Sequence, residues 1–137
     1  MRSAWAIALV GLGLYPAKAA SSLDAQAACS QQAALVFSAQ VVDGHDVPWA
    51  NKYVNHFNEK ANKCFVWIGV GKFFDNGKFG VEETISDAFG LATYGSYVAT
   101  GPTPTKCSVK TVDGQEISCG SEDEFRKLAL RHLGIDW

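Results

Sequence analysis

Three histidines, four cysteines and one tight group of carboxylates are the side chains here whose types and spacing could do chemistry. The carboxylates are Glu82, Glu83 and Asp87. A retaining glycosidase sets two carboxyls about 5 Å apart, and an inverting one sets them farther apart. Adjacent strand residues point to opposite faces, so Glu82 and Glu83 cannot be such a pair. Glu83 and Asp87 can share a face, but charge that keeps a sheet edge soluble accounts for them equally well. His56 stands between Tyr53 and Phe57, just before the most apolar run of the chain. A small hydrolase using His56 with Glu83 or Asp87 requires that they converge in one cleft. A satisfied structural histidine is the favoured reading.

The remaining motifs are weaker. His45, between Asp43 and Asp46, belongs to an incomplete ligand set, and a solvated loop explains it as well. His132 falls in the last turn of a helix, where a cation suits the dipole. H-E-x-x-H and G-x-S-x-G do not occur. Gly69-x-Gly71-Lys72 fails as a phosphate loop, because Val66 stands where a glycine is needed and Phe73 where Ser or Thr is needed. Close packing in a strand explains those glycines. No cofactor and no metal is expected.

The cysteines are Cys29, Cys64, Cys107 and Cys119, and no C-x-x-C pair or Cys/His cluster has zinc spacing. An even count in an exported chain implies disulfides. The segments 107–111 and 115–119 flank Val112-Asp113-Gly114, a three-residue hairpin loop with glycine in the left-handed position. That register sets Val109 opposite Ile117, Lys110 opposite Glu116, Ser108 opposite Ser118 and Cys107 opposite Cys119. Cys29 and Cys64 remain for each other, which implies a clamp between a helix and a strand.

Export is expected from the amino-terminal order. Arg2 precedes an apolar stretch from Ala4 to Tyr15, then Pro16 and the small-residue site Ala17-Lys18-Ala19. Residues 1–19 read as a cleaved signal peptide and 20–137 as a single secreted α+β domain. The apolar stretch is shorter than the roughly 20 residues that span a bilayer, and no membrane span is expected after cleavage. Gln26-Ala27-Ala28-Cys29 is a poor lipidation box, with Gln26 where a leucine-like residue belongs. The chain carries a formal net charge of −2, and cleavage removes two of its 12 basic residues. With no basic stripe, nucleic-acid binding is not expected.

The elements that must position these side chains follow from periodicity. Ser21-x-x-Asp24 opens a helix whose stripe Ala25, Cys29, Ala33, Val36 and Phe37 runs to about Gln40. Residues 53–57 form a short strand. Residues 64–74 form a strand apolar on both faces, hence an interior one. Asp75-Asn76-Gly77 turns the chain into a return strand over about 78–88. Residues 89–99 carry no clear pattern, and 100–105 form an exposed connector. The disulfide hairpin follows. A last helix has Ser121 and Glu124 at its start, Phe125, Leu128, Ala129 and Leu133 on its face and Gly134 at its end. The expected fold is an antiparallel sheet of four to five strands, with both helices packed on one face.

Asn55-His56-Phe57-Asn58 leading to Asn62-Lys63-Cys64-Phe65-Val66 resembles a pattern in small secreted proteobacterial proteins of uncharacterised function. Asp87-Ala88-Phe89, the later cysteine pair and Ser121-x-Asp123-Glu124-Phe125 share in the resemblance. It implies a periplasmic or secreted protein, and it carries no activity or catalytic residue.

The aromatics exceed what one core needs, and Trp49, Tyr53, Phe57, Tyr94 and Tyr97 are candidate binding residues. A core rich in aromatics is the competing explanation. The functional expectation is a small exported, disulfide-stabilised, non-enzymatic binding or inhibitor-like protein whose partner is a protein or a cell-envelope component. The alternative is the His56 hydrolase.

Overall fold

In the computed structural model, residues 22–40 and 51–137 are described. The elements are α1 (Ser22–Gln40), β1 (Lys52–Asn58), β2 (Lys63–Phe73), β3 (Phe79–Asp87), β4 (Thr93–Ala99), β5 (Lys106–Lys110), β6 (Glu116–Ser118) and α2 (Glu122–Leu133). The strands form one six-stranded antiparallel sheet in the order β1-β2-β3-β4-β5-β6. The fold is α+β, as expected, with one strand more than the expected range. The extra strand is β4, inside the stretch that carried no pattern. It links β3 to the disulfide hairpin, pairing Glu83 with Tyr97 on one side and Tyr97 with Cys107 on the other.

The helices lie on opposite faces, which corrects the expectation of a single covered face. Strand alternation sends Cys64, Val66 and Ile68 to one side, where they pack with Cys29, Ala33 and Val36 of α1. Phe65 and Trp67 point the other way and join Ile85, Tyr97 and Val109 under Phe125, Ala129 and Leu133 of α2. A strand apolar on both faces needs cover on both, and β2 receives it.

Both disulfides have the expected partners. Cys29–Cys64 closes a separation of 35 residues with Cα atoms 5.3 Å apart. Cys107–Cys119 closes 12 residues at 5.1 Å. The hairpin register is the one read from the sequence, with Ser108 facing Ser118, Val109 facing Ile117 and Lys110 facing Glu116.

Helix α1 also covers the open edge of β1. Gln26 Oε1 accepts the Phe57 N–H (2.9 Å), and its Nε2 donates to Asn55 Oδ1 (2.9 Å). An edge N–H that could pair with another strand is thereby satisfied within the chain. Helix α2 is capped as expected, since Ser121 Oγ accepts from Glu124 N (3.2 Å) and Gly134 (φ 78°) donates its N–H to Leu130 O (3.1 Å). Glu124 departs from the usual capping box by accepting from Gly120 N (2.8 Å). The proposed cap of α1, Ser21, the signal segment and His45 lie outside the described residues.

Candidate functional site

Glu83 and Asp87 share the α2 face of β3, but solubility at an edge does not explain them. Strand β3 is interior, and the two residues are only 4% and 7% exposed. Nor do they meet His56. The imidazole is two strands from Asp87, with Phe65 between them, a spacing of about 10 Å between backbones. Glu83 lies a further four residues along β3. His56 instead abuts the end of α2, its Nε2 lying 3.0 Å from where a Cβ on Gly134 would stand. Beside it, Asn58 Nδ2 donates to Leu133 O (3.0 Å) and Asn58 Oδ1 accepts from Ala61 N (3.0 Å). His56 and His132 line a groove of about 620 Å³ with Lys60, Val112, Leu130 and Arg131. Nothing in the spacing of the two histidines marks their meeting at one groove. The groove contains Glu59 but neither of the carboxylates expected to work with His56.

Asp87 organises the β3–β4 turn. Its Oδ2 takes the ammonium of Lys63 (2.9 Å), and its Oδ1 accepts from Phe89 N (3.1 Å). Burial pushes this carboxyl up, but the bonds from Lys63, Phe89 N and Gly90 N outweigh it and hold its pKa below the usual value. Backbone bonds complete the brace. Leu91 N donates to Asp87 O (2.7 Å), Asp87 N to Ala92 O (2.9 Å) and Ala88 N to Cys64 O (2.7 Å). From α1, Gln32 Nε2 donates to Ala88 O (3.1 Å).

This turn fixes two apolar side chains in solvent, Phe89 at 60% and Leu91 at 65% exposure. Leu91 also adopts a left-handed backbone, φ 57°. In the turns joining β1 to β2, β2 to β3 and β5 to β6, the positive φ falls on Asn62, Gly77 and Gly114, residue types that tolerate it. Only at the β3–β4 turn, among the described residues, does a large apolar side chain hold that conformation.

Glu83 sits in a different setting. Trp67 Nε1–H donates to its Oε2 (3.0 Å), and Arg126 Nη2 stands 3.5 Å from its Oε1 while binding Glu122 at 2.5 Å. Burial pushes the Glu83 carboxyl up, with the Glu122 charge adding to it. The Trp67 bond, Arg126 and Lys52 offset this only in part. The Arg126 guanidinium also faces the rings of Trp67 and Trp137. Among the described residues, no group of three or more His, Cys, Asp or Glu side chains is placed to hold a metal ion.

The aromatics expected to bind a partner separate by burial. Tyr97 is in the core beside Phe125, with ring centroids 5.7 Å apart. Tyr94 meets Phe65 edge-on and lies under the Lys63 ammonium. Phe57 packs on the α1 core, and Tyr53 stacks on Phe37 at 4.7 Å. Trp49 lies outside the described residues. Tyr53 is itself among the exposed apolar residues, together with Leu23 and Leu35 on α1, Leu130 on α2, Phe73 and Phe79, edge-to-face at 5.4 Å at one end of the sheet, and Phe89 and Leu91 at the other. Sequence reasoning passed over Phe89 and Leu91, because neither repeats with a helix or strand period.

Among the described residues, no helix is long and apolar enough to cross a membrane. Compared with protein-family models, curated proteins and solved structures, the chain matches none.

Proposed function

We propose that this protein is an exported, disulfide-stabilised binding protein of the inhibitor-like kind. It recognises a protein or another envelope component by inserting Phe89 and Leu91 of the β3–β4 turn into an apolar recess. The observation that carries this reading is the braced turn itself. Five hydrogen bonds and an ion pair hold a strained leucine and a phenylalanine in water. A turn already fixed in its bound shape loses little freedom on binding, and affinity gains accordingly. Backbone strain held in place by its surroundings is characteristic of binding and switching segments. The two disulfides and the resemblance to small secreted proteobacterial proteins fit a periplasmic or extracellular setting. The partner in this reading is not a nucleic acid.

A pull-down from envelope extract tests it, using the chain from residue 20 onward as bait. A partner captured by the parent protein should be lost with Phe89→Ser/Leu91→Ser and kept with Phe73→Ser/Phe79→Ser, all three baits being folded. Equal capture by the Phe89/Leu91 variant would remove the turn from the reading.

A further inference from the structure

The β3–β4 turn makes no use of the groove of about 620 Å³ that lies between the β1–β2 turn, the end of α2 and the β5–β6 turn. The ionisable side chains of this groove are mostly basic. Lys60 comes from the first turn, Arg131 and His132 from the helix and His56 from β1, against the single carboxylate of Glu59. The chain as a whole carries a net charge of −2, so this excess of cations is local. It is also uncompensated. The ion pairs of the described residues engage Lys63, Lys72, Arg126 and Lys127, and neither Lys60 nor Arg131 takes part in one. Among the described residues the imidazoles of His56 and His132 have no side-chain hydrogen-bond partner either.

Backbone groups that would repel an anion are occupied. Leu130 O accepts from Gly134 N (3.1 Å) and Leu133 O from Asn58 Nδ2 (3.0 Å), so these carbonyls at the negative end of α2 are turned to donors of the chain. Much of the remaining wall is apolar. Val112 and Leu130 are exposed there, and Phe57 and Ala61 also line it. The volume falls within the roughly 300–1,000 Å³ of small-molecule sites. Isolated surface lysines are ordinary. A groove that gathers four basic side chains beside two exposed aliphatic ones offers partners to a negative charge and to an apolar body at once.

We infer that this groove binds an amphipathic anion, a carboxylate or phosphate head carried on a short apolar body. Lys60 and Arg131 hold the head with permanent charge. His56 and His132 add to them when protonated, since an imidazolium donates from both ring nitrogens and the neutral ring from one. Histidine is the side chain that changes charge between about pH 5 and 8, so binding tightens as pH falls through that range. Glu59 and Lys60 from the β1–β2 turn and Arg131 from α2 are the other charged groups at the lining, and the β5–β6 turn contributes only Val112. Val112 and Leu130 take the apolar body. The groove shares no residue with the β3–β4 turn, so this site and the binding function proposed above stand or fall separately.

Hexanoate and hexyl phosphate are the probes, titrated into the isotope-labelled protein with the imidazole signals of His56 and His132 and the Val112 amide followed by NMR. Both should give saturable shifts at all three, and the tighter of the two identifies the head. Hexylammonium, with the same body and the opposite charge, should give none. Inorganic phosphate, a head without a body, should bind at least about tenfold more weakly than hexyl phosphate. Hexanoate keeps its charge between about pH 8 and 5.5, and should bind at least about fivefold more tightly at the lower value. Lys60→Gln/Arg131→Gln removes two exposed charges that hold no partner in the fold. It should weaken both probes at least about tenfold with the urea midpoint unchanged. His56→Gln/His132→Gln, followed at the Val112 amide, should abolish the pH dependence. Absence of saturable shifts with either probe would overturn the inference. So would hexylammonium binding as tightly as hexanoate, inorganic phosphate as tightly as hexyl phosphate, or unchanged affinity in the Lys60/Arg131 variant.

Discussion

Glu83 and Asp87 stand four residues apart on the same face of β3, and both are buried, yet their carboxyls are driven in opposite directions. At Asp87, Lys63 and the N–H groups of Phe89 and Gly90 converge on the carboxylate and overcome burial. At Glu83 the indole of Trp67 is the one close donor, and burial prevails. Burial alone therefore does not set the sign of the shift. What sets it is how many donors the surrounding backbone and side chains deliver. The turn is rich in donors and rigid. The surroundings of Glu83 are poor in them.

The largest effect should come from the turn. Asp87→Ala removes the acceptor of two backbone N–H groups and strands the Lys63 ammonium, and should destabilise the protein by about 2 kcal/mol in urea denaturation. A loss under 0.5 kcal/mol would mean that the turn is not braced by its carboxylate. The surroundings of Glu83 should respond to the helix that covers them. Ser121→Ala frees a donor at the start of α2, which carries Glu122 and Arg126 over Glu83. That change should cost about 1 kcal/mol and shift the Trp67 indole signal while leaving the Phe89 amide unmoved. Equal shifts at both would couple two regions that the comparison keeps apart.

The third effect is one of pH. A lowered folded pKa makes Asp87 contribute stability above its usual value of 3.8, and that contribution is lost as pH falls through the folded value. Glu83 runs the other way. Its raised folded pKa means stability is lost as pH rises from its usual 4.5 through the folded value. On acidification from neutral pH, protonation of Glu83 should stabilise first and protonation of Asp87 should destabilise later. Glu83→Gln should flatten the first limb and Asp87→Asn the second, measured as urea midpoints against pH. The same limb vanishing in both variants would contradict the separation.

How far the sequence reaches is set by the range of the forces involved. The hairpin over 107–119 and helix α2 were legible, because an alternation about Gly114 and a cap at Ser121 are local signals. Strand β4 was not. Its Gly95 breaks the strand pattern, and the reason for it is remote, since the Ile85 side chain lies 2.8 Å from where a Cβ would be. The two covered faces were implicit in β2, whose Phe65 and Val66 both had to be buried. The burial of Glu83 and Asp87 was hidden because Lys63, Trp67 and Arg126 reach them from other elements. Leu91 escaped notice for a related reason. Gly90 stands next to it and is the residue that sequence rules would place at a positive φ.

The turn is proposed to hold Leu91 for a partner, and the stability of the fold does not require it. Replacing a left-handed leucine by glycine relieves roughly 1–2 kcal/mol of backbone strain. The freer unfolded chain takes back roughly 0.5–1 kcal/mol. Urea denaturation of Leu91→Gly beside Leu91→Ala measures this directly. Glycine should be more stable than alanine by about 1 kcal/mol and at least as stable as the parent leucine. A glycine variant clearly less stable than the parent would show that Leu91 is kept for the fold, and would contradict a turn held under strain for recognition.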